Sequence, residues 1–208
     1  MNLVIFGASG RTGRPLVEQA LAAGHTVTAF TRAAHRLGFQ HDRLHIVEGD
    51  IRDAEAVNRA VQGAQAVLSV LGPASNTPEF AVSAGTQVII AAMRGHGVQR
   101  LVASAGAGVS MEKDQPRAFH RLMDFLVSRL SRYVFEDMVQ TVAAIRRSDL
   151  DWTVVRVPML VDGESLPVKV GYVGRGPGPR LTRGSLAAFM LQQADDLTYR
   201  HDLPVISN

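Results

Sequence analysis

The chain has 208 residues, 46% of them hydrophobic, with 22 basic and 19 acidic side chains and a formal net charge of +3. A chain of this length buries roughly 70% of its unfolded surface, which suits one domain with one core, and its small, scattered basic excess leaves no nucleic-acid footprint. It has no cysteine, which excludes disulfides and thiolate chemistry, and no apolar stretch approaches the roughly 20 residues of a membrane span.

The first predicted element is a strand, Leu3-Val4-Ile5-Phe6, that breaks into Gly7-Ala8-Ser9-Gly10-Arg11-Thr12-Gly13. The apolar run lacks a basic segment before it, so it reads as a strand and not a signal peptide, and a cytoplasmic location is expected. Pro15 suits a first helical turn. Leu16, Val17, Ala20 and Leu21 recur at helical spacing up to Gly24. Residues 26–31 and 45–47 predict two more strands, the latter ending at Glu48-Gly49-Asp50. Asp53 caps a helix that carries Val57 and Val61 and stops at Gly63. Residues 66–71 form a nearly all-apolar strand, as expected when helices cover both faces of a sheet.

A polar loop over 74–79 leads to a helix over 82–94, ended by Gly95 and Gly97. A fifth strand covers 101–104, and residues 116–148 hold two helical patterns with a break near Ser131-Arg132. In the first of these, Phe119, Leu122, Met123, Phe125 and Leu126 form one face, which reads as core, as a lid over an aromatic acceptor or as an oligomer contact; His120 reads as an exposed or packed side chain. Residues 152–157 form a sixth strand closed by Pro158. The turn-rich segment 161–180 is expected to cover a ligand crevice; a helix over 185–194 and a strand over 203–206 follow. This alternation predicts an α/β fold: a Rossmann-type, doubly wound, mainly parallel sheet in three layers. The single domain spans 1–208, with 159–208 as a small substrate-side C-terminal portion.

The glycines carry the first chemical signal. Their i, i+3, i+6 spacing, after a strand and before a helix, is a variant of the dinucleotide-binding fingerprint. Gly7 permits the tight turn, Gly10 lets amides approach a pyrophosphate, and Gly13 lets the helix pack close to the strand. The helix N-terminus adds unpaired N–H groups and partial positive charge. In this arrangement an acid at the end of the second strand selects NAD and a base admits the 2′-phosphate of NADP. Between Glu18 and Asp42 there is no Asp or Glu, whereas Thr31, Arg32, His35 and Arg36 are present. NADP(H) is the expected cofactor, with Arg32 as a charge-assisted phosphate partner; the alternative is that these arginines decorate an exposed loop.

These stretches resemble the atypical short-chain dehydrogenases/reductases of the NAD(P)H-binding, NmrA-like group, and within it the flavin reductase/biliverdin-IXβ reductase branch. The matching segments are the glycine turn, Thr31-Arg32 with Arg36-Leu37, Gly49-Asp50-Ile51, Val70-Leu71-Gly72, and Ala91-Ala92-Met93 through His96-Gly97-Val98. Asp151 to Arg156, Pro158, Asp162-Gly163 and Gly174-Arg175-Gly176-Pro177 follow in order. The resemblance implies that Gly7, Ser9, Gly10, Arg11, Thr12 and Gly13 hold the pyrophosphate and Arg32 and Arg36 the 2′-phosphate. It also implies Asp50 and Ile51 beside adenine, Leu71 and Gly72 along the nicotinamide ribose, and Ser104 and Pro158 near the nicotinamide. Asp50 is equally readable as a turn cap, and Leu71-Gly72 as plain strand termination.

A typical short-chain dehydrogenase passes its proton through a Tyr-x-x-x-Lys pair. Here Tyr133, Tyr172 and Tyr199 are followed four residues later by Asp137, Gly176 and Leu203, so the pair is absent. Ser104 is the candidate catalytic hydroxyl, with a bond to local backbone as its alternative. The branch's further serine falls at Gly106 and its histidine after the strand-six proline at Met159, which speaks against biliverdin as substrate. The expected function is an NADPH-dependent reductase for a flavin, quinone or similar planar conjugated acceptor, where hydride delivery is most of the chemistry. The alternative is a non-catalytic NADP(H) sensor of the NmrA-like type; an extended-class epimerase lacks both the tyrosine and a long enough C-terminal portion. The expected partners are a small planar or carbonyl-type substrate, with no nucleic acid, membrane or metal, in a monomer or homodimer.

Overall fold

The computed structural model describes residues 1–73, 75–116, 118 and 128–208. The apolar face from Phe119 to Leu126 and His120 lie outside the described residues. The strands are β1 (Asn2–Phe6), β2 (Thr26–Thr31), β3 (Leu44–Glu48), β4 (Ala66–Ser69), β5 (Arg100–Gly106), β6 (Asp151–Val157), β7 (Met159–Val161), β8 (Lys169–Gly171), β9 (Arg180–Thr182) and β10 (Val205–Ser207). The helices are α1 (Gly13–Ala22), α2 (Ala54–Val61), α3 (Ala81–Gly95), α4 (Arg132–Arg146) and α5 (Arg183–Gln192).

Eight strands make one sheet in the order β3-β2-β1-β4-β5-β6-β10-β8, while β7 and β9 pair separately. Every pairing in the eight-stranded sheet is parallel except β10 with β8. The apolar run of β1 is continuous because it is buried on both faces. Leu3 and Ile5 join the core under α1 and α5, and Val4 and Phe6 join the opposite core under α2, α3 and α4. Leu16, Val17, Ala20 and Leu21 are all buried, as their helical spacing requires. The result is the expected three-layer, single-domain Rossmann-like fold. Strand order reverses between β1 and β4, which is where open α/β sheets form their ligand crevice.

Asp53 accepts from the Glu55 and Ala56 amides and starts α2. The N-terminus of α3 has no such local cap: Phe80 precedes it in the left-handed region, at φ 47°. Its cap comes from another helix. Asp137, buried on α4, takes the Ser83 N–H at 2.8 Å and the Val82 N–H at 3.1 Å. Beyond the crevice, the fully buried Arg156 of β6 forms a bidentate pair with Asp114 at 2.7 and 2.8 Å and donates to the carbonyls of Val109 and Leu203. Asp114 also accepts from Met111 and Val173 N–H. One buried charge pair therefore joins β6, the chain after β5 and the turn after β8.

Two expectations need correction. Residues 161–180, where only turns are expected, contain the three-residue strand β8, the last residue of β7 and the first of β9. Their pairing is set by partners distant in sequence, and such short strands leave no periodic signal. Nor does 161–180 cover the crevice: β8 extends the edge of the sheet beyond β10, and none of these residues lines the cavities described below. No helix among the described residues is long and apolar enough to cross a membrane.

Candidate nucleotide-binding and acceptor site

The turn after β1 is built around its glycines. Gly7 sits at φ +82°, and its carbonyl accepts the Gly10 N–H at 2.9 Å. A Cβ on Gly13 would overlap the Gly7 carbonyl oxygen and stand 2.7 Å from the Ala8 carbonyl. Only glycine lets α1 start this close to β1. Among the described residues the amides of Arg11, Thr12 and Gly13 have no hydrogen-bond partner. The first turn of α1 carries neither an acid nor a side-chain cap. Its donors and partial positive charge are left for an external anion.

Two adjoining cavities run from this turn along the carboxyl ends of the strands. Gly7, Thr31, Arg32, Asp50, Ile51, Leu71 and Gly72 all line the first. Thr31 is buried, and its hydroxyl meets Ser9 Oγ at 2.7 Å and accepts the Ala33 N–H at 3.2 Å. It braces the glycine turn to the end of β2. Arg32 is exposed on the cavity rim. Arg36 lies on a 3-10 turn (Ala34–Arg36), exposed and outside the lining.

Asp50 grips a residue that sequence reasoning passed over, Arg52. The guanidinium reaches the carboxylate at 2.8 and 2.9 Å, and the Arg52 amide adds a third bond at 2.9 Å. Those bonds hold the Asp50 carboxyl down at about 2. Glu48 on β3 lies beside the acid-free stretch, and its Oε2 accepts the Ala34 N–H at 2.9 Å; Asp50 and Glu79 line the same cavity as Arg32. Ile51 packs on α3 at Gly85, where a Cβ would come within 2.5 Å of its side chain.

The second cavity, about 490 Å³, joins the first at Leu71, Gly72 and Pro73. Gly10, Arg11 and Thr12 border it on one side and Ser104, Gly106 and Val157 on another. Helix α4 turns Val134, Asp137, Met138 and Thr141 towards it. Its i, i+4 pairs are Val134 with Met138 and Asp137 with Thr141, with Met138 Sδ against the Gly106 amide. A Tyr/Lys relay finds no counterpart on this face. Ser104 Oγ makes only a long bond, 3.5 Å, to the Ser69 carbonyl. Thr141 Oγ1 is buried without any partner among the described residues. Pro158 is half-buried and does not line the cavity. Arg183, at the start of α5, does line it. Asp137, Met138, Thr141 and Arg183 escaped the sequence reading. The i, i+4, i+8 spacing of 133, 137 and 141 could have shown a polar stripe on α4, but nothing in the sequence says which way that stripe faces.

The family model for NAD(P)H-binding proteins matches residues 7–197. The chain belongs to the NAD(P)H-binding family. Within the aligned region it is 35% identical over 122 residues to 3 beta-hydroxysteroid dehydrogenase/Delta 5-->4-isomerase of Mycobacterium tuberculosis, covering 53% of this chain and 33% of that protein. It is 31% identical over 121 residues to 2-alkyl-3-oxoalkanoate reductase of Stenotrophomonas maltophilia, covering 56% and 36%. The aligned stretch therefore spans about a third of these curated relatives. Among solved structures, a short-chain dehydrogenase/reductase of Veillonella parvula, crystallised in complex with NADP, superposes at a TM-score of 0.79 with 18% identity, covering 100% of this chain and 94% of that one. ChuY, an anaerobillin reductase of Escherichia coli O157:H7, superposes at 0.77 with 18% identity, covering 100% and 97%. These likenesses show the fold. The glycine cradle and its three unpartnered amides fit the family's dinucleotide on this chain's own geometry.

Proposed function

We propose that the protein is an NADPH-dependent reductase for a planar conjugated acceptor such as a flavin or quinone. The supporting observation is the make-up of the second cavity. It pairs a cofactor cradle with a mostly apolar wall (Leu71, Val134, Met138, Val157, Leu160 and Leu186), and among the described residues no Tyr/Lys relay faces it. When bound, the reduced nicotinamide supplies a hydride equivalent. The chain's residues bind and orient: the amides of Arg11, Thr12 and Gly13 take the pyrophosphate, and Gly7, Ser9 and Gly10 shape the turn that presents them. Arg32 takes the 2′-phosphate through charge-assisted hydrogen bonds, with Arg36 approaching from outside the cavity. Thr31 keeps that corner rigid, and Asp50, pinned by Arg52, flanks the adenine with Ile51.

Leu71 and Gly72 form the neck through which the two cavities meet, and Pro158 backs the acceptor end from behind its wall. Ser104, only weakly satisfied by Ser69, is the hydroxyl free to orient the nicotinamide carboxamide or the acceptor. The wall excludes water and stacks an aromatic ring. A simple ketone would need a proton donor that this wall does not offer. A conjugated acceptor spreads the incoming charge and takes its proton from solvent. The reaction occurs in the cytoplasm, where NADPH is regenerated.

NADPH oxidation over a panel of flavins, quinones, linear tetrapyrroles and simple carbonyl compounds tests the reading. Turnover is expected on conjugated acceptors and not on isolated ketones. Background rates throughout would refute it, and tight NADPH binding without turnover would favour a redox sensor instead.

A further inference from the structure

We infer that the acceptor carries an anionic group, a carboxylate or phosphate, and that Arg183 binds it. The inference rests on the reductase reading and narrows its substrate class. Three ionisable side chains line the second cavity: Arg11, Asp137 and Arg183. Asp137 has both oxygens committed to the amides that start α3. Arg11 stands beside the pyrophosphate amides. Arg183 is left over, at the far side of the cavity next to Leu160 and Leu186.

Its environment is unusual for an arginine. The side chain is 10% exposed, yet among the described residues its only hydrogen bond runs from Nη1 to Asp162 Oδ1, at 2.6 Å. Nε and Nη2 donate to nothing there. A buried guanidinium normally satisfies its donors, because leaving them unpaired is costly. Arg100 in the same molecule does so, with five hydrogen bonds to Gln193, Asp151, Thr153 and Asp196, as does Arg156. Arg183 instead lines the second cavity with Nε and Nη2 unpartnered among the described residues and accessible to water. Its one partner, Asp162, is 79% exposed, and an ion pair with so hydrated a carboxylate is weak. Asp162 is therefore a weakly held, hydrated counter-ion outside the cavity lining. A ligand anion that uses Nε and Nη2 gains the bidentate geometry guanidinium favours and need not displace it.

The test compares acceptor pairs that differ in one anionic group: FMN against riboflavin, and anthraquinone-2-carboxylate against its methyl ester. Binding to the full-length protein saturated with NADP+ is measured by titration, and reduction is measured where it occurs. The wild-type protein is expected to prefer the anionic member of each pair at least tenfold. Arg183→Gln should collapse that ratio towards one, and Arg183→Lys should restore part of it. Asp162→Asn should raise the ratio, because it removes a nearby negative charge that repels the ligand anion. A structural Arg183–Asp162 pair predicts the reverse for Asp162→Asn, with lower stability and no gain for the anion. Ratios near one in the wild type, ratios unmoved in Arg183→Gln, or a loss that falls instead on the NADPH KM would each overturn the inference. Because binding is read separately from turnover, anion-dependent binding without reduction would sink the reductase reading and leave this site standing. Reduction without anion preference would do the opposite.

Discussion

Asp137 is the crevice carboxylate most easily mistaken for a proton donor, and its geometry says it is a cap. Both oxygens are taken by the Val82 and Ser83 amides, at 3.1 and 2.8 Å, at a helix end with no cap of its own. Asp137→Ala strips two hydrogen bonds to a charged acceptor, each worth about 1.5–3 kcal/mol, and leaves two amides in a poorly hydrated neck. The expected loss is about 3–5 kcal/mol, within the range for removing one partner of a buried charged network. In a protein of 208 residues each kcal/mol moves Tm by roughly 2–4 °C, so the melting point should fall by about 10 °C. Asp137→Asn keeps one good acceptor and turns an NH2 towards the other amide, so it should cost about half as much. Urea unfolding and thermal melts of the two variants measure this, with acceptor reduction followed across the neutral pH range. A cap predicts graded destabilisation and an unchanged pH profile in Asp137→Asn. An Asp137→Asn protein as stable as the wild type, but inactive or with a shifted pH limb, would refute the cap and make Asp137 a proton donor.

Arg32→Ala should weaken NADPH binding about 10- to 100-fold, the worth of one or two charge-assisted phosphate bonds, while NADH binding stays within about twofold; parallel titrations check this. Gly13→Ala should cost about 1–3 kcal/mol by overpacking and weaken both nicotinamide cofactors, since its Cβ would push α1 away from the Gly7 and Ala8 carbonyls; melts and cofactor titration report the two effects. Burial raises the Asp114 carboxyl, but Arg156 and the Met111 and Val173 amides pull it below its ordinary 3.8. Their contribution is therefore complete above that value and drains away as the pH falls through and below it, and Arg156→Met should cost about 3–5 kcal/mol at neutral pH, read as Tm against pH. Thr141→Val should stabilise the ligand-free protein by about 1 kcal/mol by removing an unpaired buried hydroxyl; destabilisation in urea would show that the hydroxyl is satisfied.

The parts of the fold that could be read beforehand are those where local pattern and tertiary need agree. The apolar run of β1, the Asp53 cap of α2 and the helical spacing of Leu16, Val17, Ala20 and Leu21 in α1 each announce themselves within a dozen residues. The glycine turn was legible for the same reason: Gly7 and Gly13 answer to a φ value and a steric gap that no other residue fits. Three-residue strands such as β7 and β9 exist only because they find each other across 18 or more residues of chain. The site shows the same division. Arg32 and Asp50 could be placed because they follow strands whose ends line the crevice. Asp137, Thr141 and Arg183 could not, because their meaning depends on which face of α4 or α5 meets the sheet. Arg52 was hidden by its partner, since a salt bridge two residues long looks like surface charge until Asp50 is seen at the cavity wall. Arg36, a basic residue at the expected spacing, stands exposed on a 3-10 turn outside the cavity lining.

The distribution of charge along the crevice explains why a missing proton relay need not mean a missing activity. At the Arg32 end of the crevice, Asp50 is paired with Arg52 and Glu48 accepts the Ala34 amide, while Glu79 also lines the wall. At the neck, Asp137 is spent on the amides of α3. At the far end the wall is apolar and Arg183 keeps donors in reserve. Among the described residues no Tyr/Lys pair stands there, yet cation and apolar surface lie side by side. That combination discriminates by shape and charge before any chemistry. An enzyme built this way gains rate by orienting a ring against its hydride donor and gains selectivity by electrostatics. It follows that acceptors should be separated chiefly by KM, with kcat tracking their own reduction potential. If kcat instead tracked the basicity of the acceptor oxygen, a hidden proton donor would have to exist, and Ser104 with Thr141 would be the pair to remove first.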